Sequence, residues 1–173
     1  MATVAFLKGV NVGGHRRFRP TVLAAQLRRF DVVNIGSTGT FVVLKPVDAP
    51  NLCAEITSQV PFEVEIMVCN GRDIRRLVSD NPFAGYAAER DIVSFVGVMT
   101  TRKLLSITFP LKLPAENDWY VKVFGCQGQF VLGLYRRQMK TITYLSQLEK
   151  LIGVSLAIRN WNTILAVEKA LRR

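Results

Sequence analysis

The sequence predicts an α+β fold of two duplicated ferredoxin-like βαββαβ units, each followed by an extra helix. Three observations predict it. Apolar, β-branched runs alternate with stretches of helical spacing in the order βαββαβα. That order returns in the second half. Short similarities also recur at a near-constant separation: Phe6 precedes Phe95 by 89 residues, as Gly39-Thr40-Phe41-Val42-Val43 precedes Gly128-Gln129-Phe130-Val131-Leu132. At the strand-to-helix corner the offset is 90, from Asn70 and Ile74 to Asn160 and Ile164.

Thr3 to Val10 is an apolar run ending near Gly9 and reads as a buried strand, with Asn11-Val12-Gly13-Gly14 as the following loop. Pro20 suits a first helical turn, and Val22, Leu23, Ala25, Gln26, Leu27 and Phe30 continue at helical spacing. Asp31 to Ile35 reads as extended, Gly36 to Gly39 as a turn, and Thr40 to Lys45 as a strand stopped by Pro46. A helix over Pro50 to Val60 and a strand over Glu63 to Cys69 follow. After Asn70-Gly71-Arg72-Asp73, a basic helix presents Ile74, Leu77 and Val78 and ends near Asn81-Pro82.

In the second half, Asp91 to Met99 predicts a strand and Arg102 to Ile107 a helical piece. Strands over Trp119 to Phe124 and Gln129 to Tyr135 precede a helix over Thr143 to Ile152. A short strand over Ser155 to Ile158 leads to a terminal helix over Asn162 to Leu171. The predicted organisation is a first repeat over residues 1–80, a joint over 81–90 and a second repeat over 91–173. In a ferredoxin-like sandwich the helices cover one sheet face, so each unit leaves a second face for a sister sheet or for the extra helix.

Bulk properties exclude several function classes. No apolar run reaches the roughly 20 residues of a membrane span, and Met1 to Lys8 lacks a basic leader, so the expectation is a cytoplasmic chain without membrane attachment. Cys53, Cys69 and Cys126 are odd in number and far apart, which fits reduced thiols rather than a disulfide framework or a CxxC metal pair. With His15 as the single histidine, neither a metal nor a cofactor is expected, and a histidine triad would have to use that residue. The net charge of +10 is uneven: residues 1–90 carry 11 basic and 8 acidic side chains, residues 91–173 carry 12 and 5. Such a surplus favours nucleic acid, a phosphorylated small molecule or an acidic protein as partner.

Two runs carry candidate ligand-binding residues. Gly9, Asn11, Gly13 and Gly14 could let backbone N–H groups approach an anion, with His15, Arg16, Arg17 and Arg19 beside them. Their spacing matches neither GxGxxG nor GxxxxGK[ST], and a tight loop followed by a solvated basic run explains the same residues. Arg159, Asn160, Trp161 and Asn162 stand between a strand and a helix, where an asparagine can cap free N–H groups and the tryptophan can pack beneath. The same groups could bind a carboxylate or phosphate, with Asn70-Gly71-Arg72 as a symmetric counterpart. Arg136, Arg137 and Lys140 are candidate phosphate contacts for nucleic acid. Phe41 and Phe130 each lack the second aromatic that an RRM-like sheet would use for stacking. No nucleophile-and-base pair is evident, and Ser37 and Thr38 read as turn formers.

Leu7-Lys8-Gly9-Val10-Asn11-Val12-Gly13-Gly14, Asn81-Pro82-Phe83 and Arg159-Asn160-Trp161-Asn162-Thr163 together resemble a bacterial family of unknown function, domain-of-unknown-function family sixteen ninety-seven. Its members are similar in carrying L-R-G-I-N-V-G-G, S-G-N, N-P-F and R-N-W-N-T. Here Lys8 replaces the arginine, Thr38-Gly39-Thr40 stands where S-G-N is usual, and the serine-lysine pair before the penultimate helix is not evident around Lys140-Thr141. The resemblance implies two related αβ halves and no accepted substrate. Three readings follow: an anionic-ligand binding protein, a small enzyme with a pocket formed by the Asn11 loop and the Arg159–Thr163 corner, or a protein-protein interaction module using free sheet faces.

Overall fold

The computed structural model describes residues 1–11, 17–86, 89–116 and 118–173. It is a mixed α+β chain with two antiparallel sheets and, among the described residues, five α-helices. The chain divides into two compact units, Met1–Ser79 with Asn162–Arg173, and Asp80–Trp161.

In the first unit, strands β1 (Thr3–Lys8), β2 (Val32–Ile35), β3 (Thr40–Val43) and β4 (Glu65–Asn70) form a sheet in the order β2-β3-β1-β4. Helix α1 (Pro20–Gln26) starts at Pro20, whose fixed φ suits a first turn, and continues into a 3-10 turn over Arg28–Phe30. Asp31, at φ 55°, ends that turn in the left-handed region. Helix α2 (Ala49–Gln59) is capped by Asp48, whose Oδ1 accepts from the Asn51 N–H at 2.9 Å. Ala5, Leu7, Phe41, Leu23, Leu27, Leu52 and Ile56 form the core between this face of the sheet and α1 and α2. Helix α3 (Gly71–Asp80) follows β4 directly, burying Ile74 and Leu77.

The second unit holds β5 (Ile92–Val98), β6 (Leu111–Leu113), β7 (Val121–Gln127), β8 (Phe130–Arg136) and β9 (Ala157–Asn160) in the order β6-β7-β8-β5-β9. Helix α4 (Thr141–Ile152) ends at Gly153, which takes the left-handed C-cap conformation at φ 69°. Its Leu148 and Ile152 join Phe95, Met99, Val121, Val123 and Val131 in this unit's core. Helix α5 (Trp161–Leu171) follows β9 without a loop, and from Asn162 onward it belongs to the first unit. The repeat boundary drawn from sequence order and the boundary of the compact units therefore differ at this helix.

The helical piece expected over Arg102 to Ile107 is absent; the chain is irregular from Arg102 to Thr108. Leu105, Ile107 and Phe109 pack alternately onto the core while Leu104 is 96 % exposed. That period of two, with Ser106 and Thr108 between and Pro110 after, is the pattern of an extended strap rather than of a helix. The added strand β6 follows it.

The offset of 89 also needs correction. Phe41 lies in the core beneath α1 and α2, but in the second unit Val131, not Phe130, lies in the core beneath α4. Likewise Ala5 and Leu7 face the first core, whereas Phe95, the counterpart of Phe6 at offset 89, faces the second. An offset of 90, already seen from Asn70 to Asn160, brings Ala5 onto Phe95 and Phe41 onto Val131. A one-residue slip reverses every side chain on a strand, so the repeated letters mark opposite faces.

Both faces of the central strands are buried. Val4, Ala5, Phe6 and Leu7 are all inaccessible, as are Phe41, Val42 and Val43, and Phe130 to Leu134 are buried throughout. The interaction-module reading required free sheet faces, and these strands offer none.

Candidate functional site

The Asn11 loop leaves β1 through Gly9 (φ 71°) and Asn11 (φ 54°), two successive departures into left-handed backbone around the buried Val10. The Asn11 side chain is held at both ends: its Nδ2 donates to the Ser37 carbonyl at 2.9 Å, and its Oδ1 accepts from the Phe18 N–H at 2.9 Å. It thus ties the loop to the Gly36–Gly39 turn. Gly39 sits so close that a methyl there would lie 2.8 Å from Leu7 Cβ and 2.8 Å from Val10 Cγ2. Gly13 and Gly14, with His15 and Arg16, lie outside the described residues. Arg17 is exposed.

At the other corner, Arg159 and Asn160 are the last residues of β9, and Arg159 pairs with Val96 of β5. Arg159 is only 7 % exposed, and its Nη1 donates to the Ile158 carbonyl at 3.0 Å. Burial disfavours its charge and pushes the guanidinium down to about 10. Trp161 begins α5 half-buried, its ring 4.9 Å from Phe83. Phe83 also meets Phe124 edge-on at 5.5 Å, and Phe124 stacks on Tyr86 at 4.6 Å. Phe124 sits at a register shift between β7 and β8, where the extra residue of a bulge re-aims a side chain. Trp161 accordingly packs in an aromatic cluster. Asn162 is exposed. At the counterpart corner Asn70 Oδ1 accepts from the Arg72 N–H at 2.9 Å, satisfying a free donor of α3.

The three basic candidates of the second unit gather where β8 ends and α4 begins. Arg136 Nε donates to the Trp119 carbonyl at 2.7 Å, and its guanidinium lies 4.5 Å above the Trp119 ring. Its Nη1 is 3.8 Å from Asp91 Oδ2. Arg137 and Lys140 are exposed, and Lys140 is the N-cap residue of α4 without a side-chain cap. The first turn of α4 holds no acidic residue, so the helix's positive end adds to these cations. Thr141 Oγ1 donates to the Arg136 carbonyl and locks the junction. Beside it, Tyr120 and Tyr144 stack with ring centroids 5.2 Å apart and planes 8° from parallel. Burial raises the nearby Tyr135 phenol, against a smaller opposing pull from Arg137.

Trp119, Tyr120 and Tyr144 were not visible as site residues in the sequence. They meet the basic run only because β7 pairs with β8, placing Val121 opposite Tyr135. A Trp-Tyr pair just before a strand, facing a double arginine at the end of the next, is the signal that could have found them.

Among the described residues no cluster of three metal-ligating side chains occurs, and no helix is long and apolar enough to cross a membrane. Phe41 and Phe130 are buried, so neither is a base-stacking platform.

The chain is similar in fold to the conserved bacterial protein SP0830 from Streptococcus pneumoniae, with a TM-score of 0.61 over 99 % of this chain and 98 % of that one, at 12 % identity. At that identity the likeness speaks for the fold alone. No curated protein matches the chain. The sequence model of DUF1697, a protein family of unknown function, matches residues 1–108. That stretch contains the Leu7-to-Gly14 run and Asn81-Pro82-Phe83, whereas Arg159 to Thr163 lies beyond it. The match covers more than half of the chain, which belongs to the DUF1697 family.

Proposed function

We propose that the protein binds nucleic acid through the junction of β8 and α4. The observation that carries this reading is the meeting of exposed Arg137 and Lys140, at the positive end of α4, with the Tyr120–Tyr144 stack and the Arg136–Trp119 pair. Cations supply sequence-independent phosphate contacts, and aromatic rings supply faces for unpaired bases. Arg136 is a positioning residue, because its donors hold Trp119. Single-stranded nucleic acid is the better fit, since stacking on tyrosine requires bases free of their partners. Two further readings go with this one. The units are related copies of a ferredoxin-like unit, the second with the extended strap and β6 in place of its first helix, supported by the order β2-β3-β1-β4 and its counterpart β7-β8-β5-β9. The chain works in the cytoplasm, supported by three free cysteines.

The test is fluorescence anisotropy of a labelled mixed-sequence oligonucleotide, single- and double-stranded, at two salt concentrations. The expected result is tighter single-strand binding that weakens steeply with salt. In Arg137→Ala/Lys140→Ala the salt slope falls by about two. Absence of binding at low salt would end the nucleic-acid reading.

A further inference from the structure

The extended strap borders a cleft that none of the above assigns. Its start is fixed by Gln129, whose Nε2 donates to the Met99 carbonyl at 2.7 Å and to the Thr100 carbonyl at 3.5 Å. Leu105 and Phe109 anchor it to the core of the second unit. Between strap and β7–β8 turn lies a cavity of ≈ 370 Å³, within the range of small-ligand sites. Leu105, Phe109 and Cys126 form its apolar side, and Arg102 and Lys103 stand at its lip. The lining carries two cations and, among the described residues, no carboxylate.

Two features mark this as a place where a ligand would lie. Leu104, also in the lining, is 96 % exposed, an apolar side chain with nothing over it at the mouth of an apolar cleft. Cys126 is half-buried within the cleft, its thiol directed at the Gly128 carbonyl at 3.8 Å. The Arg102 guanidinium is placed against Gly128, where its Nε would be 3.8 Å from a methyl on that glycine. A ligand matching this lining has one anionic end for Arg102 and Lys103 and a flat or flexible apolar body for Leu104, Leu105 and Phe109.

We infer that the cleft beside the β7–β8 turn binds a small carboxylic acid with an apolar body, an aromatic or acyl carboxylate. This site is independent of the nucleic-acid surface. The turn lies at the opposite end of the β7–β8 hairpin from Tyr120 and Arg136, about 20 Å away along strands that rise about 3.3 Å per residue.

Cys126 serves as reporter. In a Cys53→Ser background the half-buried Cys126 is the thiol open to labelling, because Cys69 is buried. Its modification by neutral iodoacetamide is followed by mass spectrometry with and without 4-phenylbutyrate. The acid should slow modification about ten-fold once it exceeds its dissociation constant about ten-fold, and neutral 4-phenylbutanol should protect less. Arg102→Glu/Lys103→Glu should abolish protection, and Arg137→Ala/Lys140→Ala should retain it. Leu104→Asp, at a fully solvated position that cannot unfold the core, should also weaken protection. Unchanged labelling with the acid, equal protection by the alcohol, or full protection surviving in both cleft variants would each overturn the assignment.

Discussion

Asn11 carries more structure than its place in a glycine-rich run suggests. It closes two hydrogen bonds from a left-handed backbone that few residues other than glycine tolerate. Asn11→Ala loses both bonds and leaves the Phe18 N–H without its acceptor, so urea denaturation should show a loss of about 1–3 kcal/mol. The cysteines divide by burial. All three thiols are raised by desolvation, and Cys69, fully enclosed and near Asp73, is raised furthest. Iodoacetamide should therefore modify Cys53 and Cys126 in the folded protein and reach Cys69 only on unfolding, a difference that peptide mass spectrometry reads directly. Arg159 has the reverse sign. Its folded value of about 10 lies below that of the unfolded chain, which therefore holds more protons as pH rises past about 10. Stability relative to Arg159→Met should rise as pH climbs through about 10, measured by denaturant titration from about pH 8 upward. A flat difference would show that the charge is solvated in the folded state.

Helix α2, expected from Pro50, starts at Ala49 under the cap that Asp48 supplies, and Asp48→Ala should lower stability by about 0.5–2 kcal/mol in thermal unfolding. Strand β8 depends on distant neighbours instead. A methyl on Gly133 would lie 2.5 Å from the Lys122 carbonyl and 2.7 Å from the Phe95 ring, so Gly133→Ala should cost about 1–3 kcal/mol or more. Nothing in the run Val131-Leu132-Gly133-Leu134 announces that, because the crowding comes from β7 and β5. The strap is the instructive miss among elements. The stretch Arg102 to Ile107 reads as a helical piece in the sequence, yet Leu105, Ile107 and Phe109 reach the core at a period of two, which fits an extended chain. Short apolar runs satisfy both periods, and the core they meet decides between them.

At the scale of the molecule, the terminal helix is the decisive element. Residues 162–173 group with Met1–Ser79, Leu171 packs on Gly71, and Arg75 Nη2 donates to the Leu171 carbonyl at 3.3 Å. Removing residues 162–173 should therefore speed amide exchange in β1 and β4 while leaving β7 and β8 protected; the reverse pattern would refute this division. The grouping also reallocates charge. The first unit carries 13 basic and 7 acidic side chains and the second 10 and 6, so the lopsided halves become two units of similar surplus. What marks the candidate surface is thus local company, Arg137 and Lys140 beside Tyr120 and Tyr144, rather than an excess of charge in one part of the chain. The sequence by itself determined the α+β class and the order of most strands and helices, because period and turn chemistry act over a few neighbouring residues, and its motifs determined the membership in DUF1697. Which sheet face each strand residue occupies, that the strap is extended, that Arg159 is buried, that Trp119, Tyr120 and Tyr144 join the basic run, and which unit owns α5 were decided by tertiary structure alone. Each depends on pairing register and packing between residues distant in the chain, where a shift of one position exchanges core for surface.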